Sequence, residues 1–365
     1  MTFSSQSNSL INRKNLMNFK KLGNTNLEVS SICLGTMTWG QQNTQKEAFK
    51  QIDYALDQEV NFFDTAELYA VPMKAETRGK TSQYIGEWFL KTKKRNKVIL
   101  ADKVAGASGM DWLRPNKEKT SLNKKQIEFA CDRSLKDLKT DYIDLYQIHW
   151  ADRPSGAFSG KLEYEHKNTD DFISIEETLD ALNNLVKVGK VRHIGISNET
   201  AWGTSQYLKL AEQKKLTKIV TIQNAYNFLN RAFEVGLSEI AIREKVGLLA
   251  YSPLASGYLS GKYRNGTMPK NSRMDLFYDF WGRYRTLHSE KTIEEYWNLA
   301  KKFNLNLAQM AIKFCEIQPF VTSVIIGATK MEQLKTNIDS VNINLNKEII
   351  TEIGKIHKKY PNPCP

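Results

Sequence analysis

With 365 residues, 41% of them hydrophobic and 25% charged, the chain has the material for a large buried core and does not read as disordered. Its apolar runs all fall short of the roughly 18 residues that a membrane-spanning helix needs, which excludes such a helix. The net charge of +12 raises nucleic acid as a partner, yet the excess is scattered lysine. Its densest groups (Lys91, Lys93, Lys94, Lys97 and Lys214, Lys215, Lys218) fall at predicted helix C-termini, where cations favour the helix dipole.

No nucleic-acid or membrane partner is therefore expected, and a phosphorylated small molecule is another outlet for some of the charge. Cys33, Cys131, Cys315 and Cys364 lie far apart and form neither a CxxC pair nor a ligand cluster. They fit free thiols in a reducing, cytoplasmic setting, and no metal site is expected.

Residues 1–17 begin MTFSSQSNSLINRKNL, which is rich in serine and asparagine, carries Arg13 and Lys14, and lacks the apolar core of a secretory signal. The composition also suits an organellar transit peptide; a disordered tail, or translation from Met17, is the plainer reading. Residues 18–365 read as one domain. Lys20–Gly23 and Leu27–Ser31 flank a turn at Asn24-Thr25-Asn26 and predict a short hairpin that plugs the N-terminal end of this domain.

Apolar runs then recur near Ile32–Gly35, Phe62–Thr65, Val98–Lys103, Tyr142–His149, Val191–Ser197, Ile219–Gln223, Gly247–Tyr251 and Thr322–Gly327. They do not alternate, which suits strands covered on both faces of a parallel sheet. Between them, Thr44-x-x-Glu47 and Ser174-x-x-Glu177 read as capping boxes that open helices. Phe49, Ile52, Ala55, Leu56 and Val60 recur at helical spacing, as do Ile127, Cys131, Leu135 and Leu138, and Gly189 supplies a stop.

These strand–helix units predict an α/β fold, a (β/α)₈ barrel. An open doubly wound sheet ranks second, and no GxGxxG opens a helix to support it. Two connections, Trp150–Ile173 and Pro253–Lys291, are long enough to be lids, and both belong to the C-terminal face where barrel active sites form. Their aromatics (Trp150, Phe158, Tyr164, Phe277, Tyr278, Phe280, Trp281) favour packed lids over loose linkers.

Four polar residues stand at or just beyond predicted strand ends: Asp64, Tyr69, Lys103 and His149. A carbonyl that accepts hydride develops negative charge on oxygen and needs an acid nearby. Tyrosine is a poor acid at its free pKa of about 10, and a neighbouring ammonium is expected to lower it. Lys103 supplies that charge, Asp64 holds Lys103 in place, and His149 orients the carbonyl oxygen. Taken singly, Asp64 reads as a strand-end cap, Tyr69 as a packed loop aromatic and His149 as a structural histidine. Lys103 is harder to dismiss, because burying an unpaired ammonium is costly.

The segment Asn61-Phe62-Phe63-Asp64-Thr65-Ala66-Glu67-Leu68-Tyr69 resembles a signature of the aldo-keto reductases. So do the Lys103 strand, Asp141–His149 and Gly195-Ile196-Ser197-Asn198, and the similarity runs from about Phe19 to Tyr360. Tyr69-Ala70-Val71-Pro72 with Glu76-Thr77-Arg78-Gly79, Val191–Thr200 and Gly327–Leu334 are most similar to the Tas-type bacterial branch.

The resemblance implies reduction of an aldehyde or ketone by hydride transfer from NADPH, with Asp64, Tyr69, Lys103 and His149 as a catalytic tetrad. It implies that Ser197, Asn198 and Gln223 hold the nicotinamide carboxamide, that Tyr251 stacks on the ring, and that Thr36 and Met37 line that side. Ser252, Pro253, Leu254, Ala255, Ser256, Gly257, Leu259 and Lys262 are implied along the pyrophosphate. Gly327, Thr329, Lys330, Gln333 and Asn337 are implied around the adenosine and its 2′-phosphate, with Arg273 as a further cation favouring NADP(H) over NAD. Thr329-x-x-Glu332 also reads as a capping box, which agrees with phosphate at a helix N-terminus.

Asp102 departs from the family pattern; strand alternation points its side chain away from the barrel interior, so little effect on Lys103 is expected. Trp39, Trp150 and the lids suggest an aromatic or apolar carbonyl substrate, and Gly106–Lys119 matches the family too weakly to say more. Two other classes compete. One is a cofactor-binding regulatory subunit like the potassium-channel β subunits, which predicts loss of the histidine; the other is a glycosidase using Asp64 and Glu67 as paired acids.

Overall fold

The computed structural model describes residues 17–156, 163–167 and 171–365. The N-terminal tail up to Leu16, Phe158 and part of the first long connection lie outside the described residues.

Strands β1 (Phe19–Lys21) and β2 (Glu28–Ser30) pair antiparallel, with Phe19 opposite Ser30. The turn between them closes through Leu22 N–H to the Leu27 carbonyl at 2.9 Å and the Thr25 hydroxyl to the Leu22 carbonyl at 2.8 Å. Leu22 and Val29 are fully buried against Cys33, Phe62, Ala101, Leu145, Val220 and Leu249. The hairpin therefore plugs the N-terminal mouth of the barrel with apolar side chains. Gly23 allows this approach: it has φ +59°, and a Cβ there would lie 2.5 Å from the Val220 carbonyl oxygen.

Eight parallel strands close the barrel: β3 (Ile32–Gly35), β4 (Phe62–Asp64), β5 (Ile99–Val104), β6 (Ile143–Ile148), β7 (Val191–Ser197), β8 (Ile219–Ala225), β9 (Gly247–Tyr251) and β10 (Val321–Ile326). Each pairs with its neighbour in the chain, and β10 returns to β3 with Val324 opposite Ile32. Every strand coincides with a predicted apolar run. The core lies between this barrel and the surrounding helices.

Helices α1 (Gln45–Asp57), α2 (Lys80–Thr92), α3 (Lys124–Leu138), α4 (Ile175–Lys187) and α5 (Ala201–Lys214) follow successive strands. After β8 the short helices α6 (Phe233–Gly236) and α7 (Ser238–Arg243) replace a single long one. The connection after β9 carries α8 (Arg273–Phe277), then α9 (Ser289–Lys302) and α10 (Leu307–Glu316); α11 (Met331–Ile338) and α12 (Lys347–Lys359) follow β10.

The Thr44–Glu47 capping box forms in both directions. At α4 only half of the expected box forms: Ser174 Oγ accepts from Glu177 N–H, while the Glu177 carboxylate accepts from Lys124 N–H at the head of α3. At α11 the expected box is shifted by one residue. Lys330 is the N-cap, and the Gln333 side-chain oxygen reaches back to Thr329 N–H at 3.0 Å and Lys330 N–H at 3.3 Å, leaving Glu332 outside it. Gly189 does end α4, with φ +77°.

Candidate active site

Strands β4, β5 and β6 are adjacent in the barrel, so their C-terminal ends deliver Asp64, Lys103 and His149 to one face. Tyr69 arrives from the loop after β4, where its N–H bonds the Ala66 carbonyl at 3.0 Å. Glu67 pins that loop. Its carboxylate accepts from Ala105 N–H, from the two terminal Arg114 nitrogens at 2.8 and 2.9 Å, and from Arg133 at 2.8 Å.

Lys103 Nζ is wholly buried and lies 2.6 Å from Asp64 Oδ2, 2.7 Å from the Thr65 carbonyl and 3.4 Å from the Tyr69 hydroxyl. Burial alone would depress the Lys103 pKa, but the Asp64 charge and hydrogen bond, together with Tyr69 and Asp102, outweigh it, raise the pKa and hold the ammonium protonated. For Tyr69, burial outweighs the attraction of Lys103, so the phenol pKa is raised, not lowered as expected from the sequence. The phenol is thus a held proton rather than a resting phenolate. His149 is pushed well below the usual imidazole range by burial and by Lys103, so it is neutral at pH 7. Its Nδ1 has no partner among the described residues, and its ring meets Tyr69 edge-on with centroids 5.8 Å apart.

Beside this cluster, Ser197 Oγ donates to the Gln223 carbonyl at 2.6 Å. Asn198, at φ +51°, donates its amide to the His149 carbonyl at 2.8 Å and accepts from the Tyr251 hydroxyl at 2.6 Å. Gln223 donates to Asp64 Oδ1 at 2.9 Å. The structure therefore brings Ser197, Asn198, Gln223 and Tyr251, four of the residues expected on the nicotinamide side, together with Asp64, Tyr69, Lys103 and His149. Arg283, which sequence reasoning passed over, sits 3.3 Å from the Tyr251 hydroxyl and holds the Pro365 carbonyl at 3.1 Å.

Thr36 is wholly buried, with its hydroxyl committed to the Asp64 carbonyl at 2.8 Å, so it supports the site from beneath; Met37 packs in the cluster around Tyr69. The Ser252–Lys262 segment strings together left-handed residues (Ser252, Ala255, Ser256, Gly257 and Gly261), a backbone form that turns successive N–H groups toward an anion. Pro253 and Leu254 lie within it, while Ala255 and Leu259 are fully buried and anchor it to the core. Ser256 Oγ is buried without a partner among the described residues. A Cβ on Gly257 would come within 3.1 Å of Lys262 Cε, so glycine leaves room for that lysine against the backbone.

Lys262 lies over the Tyr263 ring and Arg273 over the Trp281 ring at 4.8 Å, whereas Lys330 is exposed at the head of α11. Among the described residues no carboxylate ion-pairs with any of the three. Gly327 is exposed, and Asn337 donates to its carbonyl at 3.3 Å. Three unneutralised cations, an orphaned hydroxyl and an anion-turned backbone fit a phosphorylated dinucleotide.

The wall around Tyr69, where a substrate is expected, is apolar. Met37, Met73, Met110, Trp112, Trp150 and Trp281 pack around Leu68, Tyr69, Ala105 and Leu113. Gly106 admits Trp150, since a Cβ there would fall 2.7 Å from its Cδ1. Trp39 is not part of this wall. It is wholly buried in the main core, with its indole N–H on Gln51 Oε1 at 3.0 Å, because its side chain packs behind β3 rather than over the barrel mouth. Gly106–Lys119, uninformative in sequence, contributes Met110, Trp112 and Leu113; an apolar triplet in a loop after a strand was the available signal.

The chain matches the aldo/keto reductase family model over residues 31–358. It is 46% identical to Protein tas of Escherichia coli over 96% of this chain and 100% of that one. It is 37% identical to an aldo-keto reductase of Babesia bovis, covering 73% of this chain and 98% of that one. It is also 30% identical to a probable voltage-gated potassium channel subunit beta of Arabidopsis thaliana, over 90% and 92% of the two chains. The barrel and these matches place the chain in the aldo/keto reductase family.

Proposed function

We propose that the protein reduces aldehydes or ketones with NADPH, and that Tyr69 is the proton donor. The observation that carries this reading is the buried Lys103 ammonium, shared between Asp64 Oδ2 and the Tyr69 hydroxyl. When bound, a reduced nicotinamide would supply the hydride that the carbonyl carbon takes up. Neutral His149 directs an N–H at the carbonyl oxygen and orients it. As charge develops on that oxygen, Tyr69 gives up its proton, and Lys103 stabilises the phenolate left behind. Asp64 keeps Lys103 charged throughout. Ser197, Asn198 and Gln223 would hold the nicotinamide carboxamide, and Tyr251 would stack on its ring. The Ser252–Lys262 backbone holds the pyrophosphate, with Lys262, Arg273 and Lys330 neutralising phosphate charge. The methionine and indole wall excludes water and suits an aromatic or apolar carbonyl compound.

The glycosidase reading is disfavoured because both carboxylates are committed: Asp64 to Lys103, Glu67 to Arg114 and Arg133. Similarity to a potassium channel β subunit keeps a regulatory reading alive; it predicts NADPH binding without turnover. Four buried, unpaired cysteines support a reducing, cytoplasmic location.

Tyr69→Phe tests the assignment. It is expected to cut single-turnover NADPH oxidation by about 10²–10⁴-fold while leaving NADPH affinity unchanged. Wild-type turnover in this variant would remove Tyr69 as the acid.

A further inference from the structure

Barrel interiors fill in layers whose side chains come from alternate strands, and bulky branched residues usually dominate them. The uppermost layer here is different. Alternate strands β4, β6 and β8 contribute Asp64, Gln147 and Gln223, all buried, with Gln147 completely so. Gln223 Nε2 lies 2.9 Å from Asp64 Oδ1 and 3.3 Å from Gln147 Oε1, and Gln147 Nε2 lies 3.5 Å from the same Asp64 oxygen. The other Asp64 oxygen belongs to Lys103.

An ionised carboxylate only accepts, so it turns the NH₂ edge of both amides toward itself. One Gln223 hydrogen meets Asp64, and the second needs an acceptor in a buried place. Gln147 Oε1 is that acceptor. The remaining edge of Gln223, its oxygen, accepts no hydrogen bond from the described residues and is the edge left for the pocket. Room for Gln147 is itself provided by Gly195, where a Cβ would fall 3.2 Å from Gln147 Cγ and 2.4 Å from Thr221 Oγ1.

We propose that Gln147 is a positioning residue: it locks the Gln223 amide with its oxygen toward the pocket, so that the site takes the NH₂ end of a carboxamide ligand. The proposal rests on the reading that the nicotinamide binds beside Gln223. Because the same carboxylate holds Lys103, one belt then registers the cofactor amide against the proton-donating pair.

Two variants test it, with NADPH affinity and its pH dependence as readouts. Gln147→Leu removes the acceptor and frees Gln223 to turn, so the NADPH Kd is expected to rise about five- to tenfold, the worth of one hydrogen bond. Gln147→Glu keeps the shape. Its introduced carboxyl, when protonated, can donate to Asp64 and accept from Gln223; when ionised, it repels Asp64. NADPH affinity in that variant is expected near wild type at about pH 6 and to fall toward about pH 9, a limb that the wild type and Gln147→Leu lack. A mere packing defect would lower the active fraction without creating this limb. Unchanged affinity in Gln147→Leu, or a pH-independent Gln147→Glu, overturns the proposal. Failure of the wild-type protein to bind NADPH at all would instead overturn the functional reading beneath it.

Discussion

Asp102 and Lys103 are consecutive on β5 and point to opposite sides of the sheet, so the same strand gives one a partner and denies it to the other. Lys103 faces inward to Asp64; Asp102 faces α3, as strand alternation predicts, and is wholly buried with both oxygens unpartnered among the described residues. Burial pushes its carboxyl up to about 7, opposed only in part by nearby Ser134 and by Lys103. The native state therefore keeps a proton that the unfolded chain, with a carboxyl near 3.8, releases. The stabilising contribution is complete below that lower value and is lost as pH rises to about 7. Asp102→Asn is expected to stabilise the protein by of order 2–4 kcal/mol at pH 8 and by much less at pH 5, read by thermal melting. Equal shifts at the two pH values would show that Asp102 does not titrate in this window. The convergence of Asp64, Tyr69, Lys103 and His149 was legible in the sequence through their joint placement at or just beyond successive strand ends, and through Lys103, whose ammonium is costly to bury unpaired. Gln147 was not, since an amide inside a strand carries no signal until its neighbours are known. Trp39 was misplaced because an indole serves a core as readily as a pocket.

Among elements, the strands were legible because each is an apolar run bounded by turn residues; their number favoured a closed barrel over an open sheet, and the pairing of β10 with β3 closes it. Helix starts were less so. Thr44 formed its full box, but Glu177 found a competing donor on α3 and Gln333 displaced Glu332, and both outcomes depend on geometry that spacing does not carry. The loop from Gly106 to Lys119 was opaque for a similar reason: its conformation is set by the distant Glu67, through Arg114, and by Gln126, which holds Arg114 Nε at 2.9 Å and the Lys119 carbonyl at 3.0 Å. Arg114→Leu should release this loop. Breaking a buried pair costs about 3–5 kcal/mol, and the remaining Arg133–Glu67 contact places the expected loss at the lower end. The KM for a carbonyl substrate should rise by roughly tenfold while NADPH affinity holds, because the loop packs against Tyr69 and not against the Ser252–Lys262 segment. Parallel losses in both would mean that Arg114 supports the barrel as a whole rather than the substrate wall.

At the scale of the whole molecule, the hairpin closes one end of the barrel with apolar side chains, and the polar chemistry gathers at the other. The net charge of +12 makes sense in the same frame. Much of it is scattered over the surface, but Lys262, Arg273 and Lys330 stand without carboxylate partners among the described residues on the segments that follow β9 and β10. Under the proposed function, that distribution would meet the charge of a polyanionic cofactor beside the cluster of Asp64, Tyr69, Lys103 and His149. The most direct test is a fluorescence titration of the purified protein with NADPH and, separately, NADH, followed in the same cuvette by a reactive aldehyde such as p-nitrobenzaldehyde. NADPH is expected to bind more tightly than NADH, and the bound NADPH to be oxidised when the aldehyde is added. Binding with no oxidation across a broad carbonyl panel would contradict the catalytic reading and favour the regulatory one, and absence of binding by either nucleotide would contradict the cofactor site itself.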